Sequence, residues 1–104
     1  MSLTIHHQEP GGASATIALT GRLLLGPGCV ELEQLVADLM NRGVLHLTFD
    51  LAAVTHIDST GMGRFIDAYS KLKKLGGSVR IASASGTVRE MFKITRLDSI
   101  FNFD

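Results

Sequence analysis

Between Val44 and Ser83 the apolar residues change their spacing twice, and this constrains the fold more than any other feature of the chain. Val44-Leu45-His46-Leu47-Thr48-Phe49-Asp50-Leu51 reads as a strand, apolar on nearly every residue, as expected when both faces of a sheet are covered. Met62, Phe65, Ile66, Tyr69 and Leu72 then recur at helical spacing and define one face of a helix from Ser59 to Leu75. Gly76-Gly77 ends it, and Ser78 to Ser83 reads as a second strand. A strand, a helix and another strand make a parallel crossover, which is right-handed. The loop after the first of these strands then lies at the C-terminal edge of the sheet, where ligands and partners of α/β sheets are met.

The flanking segments extend this sheet. Leu3 to Gln8 is a candidate strand ended by the turn Pro10-Gly11-Gly12. Ala13 to Thr20 follows, with Ala15, Ile17 and Leu19 on one face and Ser14, Thr16 and Thr20 on the other; the short turn makes the pair an antiparallel hairpin. Gly21 is expected to break the second strand. Leu23-Leu24-Leu25 leads through Gly26-Pro27-Gly28 into a helix from Gly28 to Asn41, with Cys29, Leu32, Leu35, Val36, Leu39 and Met40 as its apolar positions. A third helix starts near Ser85 and carries Val88, Met91, Phe92 and Thr95, and the alternating Ile100-Phe101-Asn102-Phe103 is a short final strand. The expected class is α/β, a mixed sheet with an N-terminal antiparallel hairpin, parallel crossovers and helices covering the sheet. One domain is expected to take up all 104 residues.

Composition narrows the function. With 45% hydrophobic and 19% charged residues the chain suits a folded globule. Its 10 basic and 10 acidic residues cancel and form no basic run, which argues against nucleic acid as a partner. A single cysteine, Cys29, makes neither an internal disulfide nor a metal cluster, and fits a reducing cytoplasm. No apolar run approaches the roughly 18 residues that would insert into a membrane. The start Met1-Ser2-Leu3-Thr4-Ile5 is unlike a signal peptide. A cytoplasmic domain with no metal and no cofactor is expected.

The stretch Asp58-Ser59-Thr60-Gly61-Met62-Gly63 lies at the handover from strand to helix. It does not match the aspartic-protease Asp-Thr/Ser-Gly, because an extra residue separates Asp58 from Gly61 and a helix follows. A serine-hydrolase elbow needs Gly-x-Ser-x-Gly, and Ile57 holds the first glycine position. Gly61-Met62-Gly63 begins a dinucleotide-like pattern, but Ile66 replaces its third glycine. His6 and His7 are neighbours in a strand, so they point to opposite faces. No constellation forms an active site, and the chain is not expected to be an enzyme. Ser59 itself has two readings. It is either the cap of the following helix, bonding amides left free in the first turn, or a phosphorylation site served by those amides and the helix dipole.

In this order of elements the chain resembles the STAS family, and within it the small stand-alone anti-sigma-factor antagonists. The resemblance spans nearly the whole chain. It is carried by Phe49 to Gly63, where the family has an apolar strand, a loop and Asp-Ser-Ser/Thr-Gly-Leu/Met-Gly, and by Leu75-Gly76-Gly77, Val79-Arg80-Ile81 and Val88-Arg89-Glu90-Met91-Phe92 leading to Leu97. The resemblance implies that Ser59 is the phosphoacceptor. It implies that the unphosphorylated chain binds an anti-sigma factor that is also a serine kinase, that phosphorylation breaks the pairing, and that a serine phosphatase restores it. The partner-binding residues on this reading are Asp58, Thr60, Gly61, Met62, Gly63, Arg22 and Leu24, with Gly61 and Gly63 letting a partner approach the backbone. Many antagonists carry Gly-Glu-Leu-Asp after the second strand; here Gly21-Arg22-Leu23-Leu24 replaces both acids, which leaves the identity of the partner open. Two other roles of the same fold are a scaffold subunit of a stress-signalling assembly and the soluble partner of a membrane transport complex.

Overall fold

In the computed structural model, which describes residues 3–103, the chain alternates strands and helices after an initial hairpin. β1 spans Leu3–Gly11 and β2 Ser14–Leu23; α1 (Pro27–Asn41) leads to β3 (His46–Ile57). Then come α2 (Ser59–Lys74), β4 (Ser78–Ala82), α3 (Gly86–Ile94), a 3-10 turn at Leu97–Ser99, and β5 (Asn102–Phe103). The five strands form one mixed sheet in the order β1-β2-β3-β4-β5. β1 and β2 are antiparallel, and every later pairing is parallel. The fold class read from the sequence is the one observed.

The strand order explains where the helices go. Each parallel crossover moves one strand further in the same direction, and right-handed crossovers that never reverse direction put all their helices on one face. The register shows it: Ala15 pairs with Leu47 and Leu47 with Val79, while Ile17 pairs with Phe49 and Phe49 with Ile81. All six of these side chains are buried. The alternate rows, such as Ser14, His46 and Ser78 or Thr16, Thr48 and Arg80, form the other face. There the His46 ring meets the Ser78 hydroxyl at 2.8 Å, exposed. The expectation that both faces of β3 are covered is thus corrected. Its residues alternate, with Leu47, Phe49 and Leu51 inward and His46, Thr48 and Asp50 outward, as in a sheet packed on one side.

Aromatic rings fill the layer between sheet and helices. Phe65 of α2 meets Phe49 edge-on, with ring centroids 4.8 Å apart, and lies 5.9 Å from Phe92 of α3. Phe92 continues the cluster to Phe103 at 5.3 Å and Phe101 at 6.0 Å, and Tyr69 closes on Phe101 at 5.6 Å. Offset and edge-to-face pairs of this kind add to the area the rings bury.

Three strands outrun their expected ends. β1 continues past Gln8 to Gly11, which still pairs with Ser14 after an irregularity, so the turn is shorter than expected. β2 continues through Gly21, whose φ of +104° suits glycine and whose position marks an irregularity in the pairing with β3. β3 continues six residues past Leu51, through two such irregularities, one between the partners of Ala18 and Thr20 and one between those of Gly21 and Arg22. Each inserts an extra residue in β3, so the inward residues after Leu51 are Val54 and then half-buried Ile57, three apart and not two. The Ala52 amide donates to Asp50 Oδ1 at 3.0 Å, and the Thr55 hydroxyl donates to the Gly21 carbonyl at 3.2 Å, across the irregular stretch. β3 therefore projects beyond β4, which pairs only with His46 to Asp50, and hands α2 its first residue at the projecting end.

Smaller differences sit at the chain ends of elements. Thr95 is the C-cap residue of α3 and not part of its inner face, and its hydroxyl donates to the Met91 carbonyl at 2.7 Å. Of the expected last strand only Asn102 and Phe103 pair with β4, because the 3-10 turn carries the chain up to Ile100.

Candidate functional site

The cap of α2 is Asp58, not Ser59. Asp58 has extended backbone (φ −119°, ψ −176°), and its Oδ1 accepts the Gly61 amide at 2.8 Å while its carbonyl accepts the Met62 amide at 2.9 Å. A side-chain oxygen bonded to the third helical amide is the ordinary N-cap geometry. The other carboxylate oxygen, Oδ2, accepts the Leu25 amide at 2.9 Å, across from the turn between β2 and α1. The Leu25 and Gly61 amides hold the Asp58 carboxyl below its ordinary value, outweighing a smaller desolvation, with the Thr60 amide adding to them. It is a carboxylate at neutral pH.

Ser59 is consequently the first helical residue, exposed, and its hydroxyl has no hydrogen-bond partner among the described residues. The capping reading of Ser59 is removed by register alone. The hydroxyl stands in solvent beside the positive end of the α2 dipole. Thr60 is half-buried.

The motif glycines and methionine divide by face. Met62 is buried, 3% exposed, and packs in the core. Gly61 is buried too, and a Cβ there would run into the Leu23 carbonyl oxygen and lie 2.9 Å from Leu23 Cγ. The absence of a side chain at Gly61 lets β2 approach α2 from inside, which the sequence reading had assigned to a partner. Gly63 is the outward one: a Cβ there would meet nothing within 4 Å.

Arg22 and Leu24 come together on an open groove of about 370 Å³, also walled by Leu3, Leu25, Pro27 and Glu31. Arg22 is exposed and makes no ion pair among the described residues. Leu25, the last residue of the Leu23-Leu24-Leu25 run, is 78% exposed at the groove's lip and is joined to the serine site through Asp58. Its signal was an apolar residue directly before Gly-Pro, outside any helical or strand period.

Beneath the lip, the buried Cys29 thiol donates to the Leu24 carbonyl at 3.1 Å. Burial pushes that thiol up from its ordinary value, the Asp58 carboxylate adds to this and Arg64 opposes it, so the thiol stays protonated. Arg64 joins α1 to α2 by pairing with Glu33 and Asp67, each at 3.1 Å. Because the strand order never reverses, the C-terminal edge of the sheet has no crevice of the kind that holds nucleotides in doubly wound folds. No group of three or more His, Cys, Asp or Glu among the described residues is placed to hold a metal ion. No described helix is long and apolar enough to cross a membrane. What remains is a shallow surface with an apolar lip and, among the described residues, a free hydroxyl and an unpaired cation, which suits contact with another protein.

Residues 14–104 match the STAS domain model, and the chain belongs to the STAS domain family. Among its relatives is the anti-sigma-B factor antagonist of Bacillus subtilis, 36% identical over 52 residues, half of this chain and 48% of that protein. The Staphylococcus epidermidis protein of the same name is 28% identical over 72 residues, 69% of this chain and 67% of that one. Among solved structures, the anti-sigma factor antagonist SpoIIAA in its unphosphorylated form superposes with a TM-score of 0.75 at 15% identity, covering 93% of this chain and 97% of that one. The phosphorylated form of SpoIIAA, a Bacillus cell fate determinant, superposes at 0.79 and 16%, covering 97% and 91%. At such identity the likeness to SpoIIAA is one of fold.

Proposed function

We propose that this chain is an anti-sigma-factor antagonist: a cytoplasmic, single-domain binding protein, not an enzyme, that pairs with an anti-sigma factor and is switched off by phosphorylation of Ser59. The anti-sigma factor is itself the serine kinase, and a serine phosphatase reverses the modification. The observation that carries the reading is the division of labour at the start of α2. Asp58 takes the cap, and the Ser59 hydroxyl is left exposed and, among the described residues, unbonded beside a helix N-terminus. The relatives named as anti-sigma-B factor antagonists, and a relative of the same fold known in a phosphorylated form, support it. Phosphate adds about −1.5 to −2 charge, which a close-packed protein contact formed around a neutral hydroxyl cannot accommodate. The docking surface on this reading comprises Ser59, Thr60 and Gly63 of α2 with Arg22, Leu24 and Leu25 of the groove, while Asp58, Gly61 and Met62 hold that surface in shape from inside.

The test is a direct binding titration against the serine-kinase anti-sigma factor encoded in the same genome, with phosphosite mapping by mass spectrometry after incubation with ATP. Ser59→Ala is expected to bind and to resist phosphorylation, and Ser59→Asp to lose at least about tenfold in affinity. Full affinity of Ser59→Asp refutes the switch.

A further inference from the structure

The two oxygens of one carboxylate serve two different elements at this site. Asp58 Oδ1 is bonded to Gly61 inside α2, and Oδ2 to Leu25 in the turn before α1. Leu25 is 78% exposed, so its side chain contributes little packing to keep the turn in place. The hydrogen bond from its amide to Asp58 joins the lip to the start of α2, alongside the longer contact of the Asp58 amide with the Leu23 carbonyl at 3.4 Å. Ser59, the next residue, extends its hydroxyl from the same helix end.

We infer that Asp58 is the positioning residue of the docking surface: its carboxylate holds the Leu24–Leu25 lip against α2, and charge on Ser59 loosens the lip through that carboxylate. This rests on the reading of Ser59 as the phosphoacceptor and gives the phosphate an effect beyond its own point of contact. The first turn of a helix offers few free amides. Asp58 uses the Gly61 amide and draws on that of Thr60. A phosphate on Ser59 competes for the same donors and repels the carboxylate beside it. Neutral Ser59 leaves Asp58 both its bonds. The phosphorylated form raises the free energy of the bridged arrangement: a carboxylate displaced from the Gly61 and Thr60 amides and repelled by the phosphate no longer keeps Oδ2 on the Leu25 amide, and the lip is released.

Backbone amide exchange at Leu25, read by NMR on the full chain, tests this. Protein with phosphoserine incorporated at position 59 should exchange Leu25 about tenfold faster than the unmodified chain, with the Phe49 and Leu72 amides unchanged. Asp58→Asn supplies the readout that a merely structural role would not move. An asparagine puts an NH2, which only donates, where one of the two accepting oxygens stood, so it cannot accept both amides from these two positions. Its Leu25 should exchange fast from the outset, and phosphoserine at 59 should then change the rate less than about twofold. Unchanged Leu25 exchange on phosphorylation of the Asp58 protein overturns the inference, as does an equal rise in the Asp58→Asn background. Partner binding measured in parallel separates the two readings. Lost binding with a silent Leu25 keeps the Ser59 switch and refutes the lip; a responsive Leu25 with unchanged binding keeps the lip and refutes the switch.

Discussion

Replacing Gly61 by alanine puts one methyl group on the inner face of α2, against the Leu23 carbonyl oxygen, 2.9 Å from Leu23 Cγ and 3.1 Å from Ile57 Cγ1. The carbonyl cannot swing aside, because Leu23 is paired with Ile57 in the sheet and its oxygen accepts the Asp58 amide at 3.4 Å. Alanine in a helix gains about 1 kcal/mol over glycine, whereas overpacking a filled interior costs about 1–3 kcal/mol. With backbone as the obstacle the upper end applies, and the net loss is about 2 kcal/mol, or about 8 °C in Tm for a domain of this size. Gly63 is the internal control. The same methyl group there meets nothing within 4 Å, so only the helix gain remains. Gly63→Ala should stabilise by about 0.5–1 kcal/mol and raise Tm by about 2–4 °C. Urea unfolding and thermal melts of the three proteins decide it. Gly61→Ala as stable as the unmodified chain, or Gly63→Ala clearly less stable, would refute the packing argument.

Acid should expose the Asp58 bonds. Its folded carboxyl titrates below the ordinary value of about 3.9, so its contribution is complete above that value and is lost as pH falls through the folded one. Thermal melts between pH 7 and pH 2 should therefore show a steeper acid loss for the unmodified chain than for Asp58→Asn, and parallel curves would count against the bonds. In the core, Phe65→Ala removes the ring between Phe49 and Phe92 and should cost about 3–5 kcal/mol in urea unfolding; a loss below about 1 kcal/mol would mean that the rings are not packed as described.

Much of the architecture is legible in the residue pattern, and the gaps have definite causes. Helical periodicity marks α1 and α2 to within a residue of their observed ends, because each has a glycine or proline boundary and a continuous inner face. The second half of β3 is hidden because its two extra residues turn a two-residue alternation into the spacing Leu51, Val54, Ile57, which resembles no strand. Gly21 reads as a strand end for a related reason: its positive φ serves an irregularity inside a strand that continues. At the candidate site, Ser59 is visible at a strand-to-helix junction, and Arg22 and Leu24 through the family resemblance, but the Asp58–Leu25 bond joins residues 33 apart in the chain and has no local signature.

By itself the sequence determined the order of elements, the antiparallel start, the parallel remainder and the presence of a hydroxyl-bearing junction before α2. Those properties depend on periodicity and chain punctuation, which are local. Only the tertiary structure decided which of two adjacent capping residues takes the cap, which of two motif glycines is needed for packing, and which face of the sheet stays open. Asp58 and Ser59 are both good N-caps, and Gly61 and Gly63 are equally small. What distinguishes them is where Leu23, Leu25 and Ile57 arrive from elsewhere in the chain, and that depends on strand register and crossover handedness, not on any neighbour in sequence.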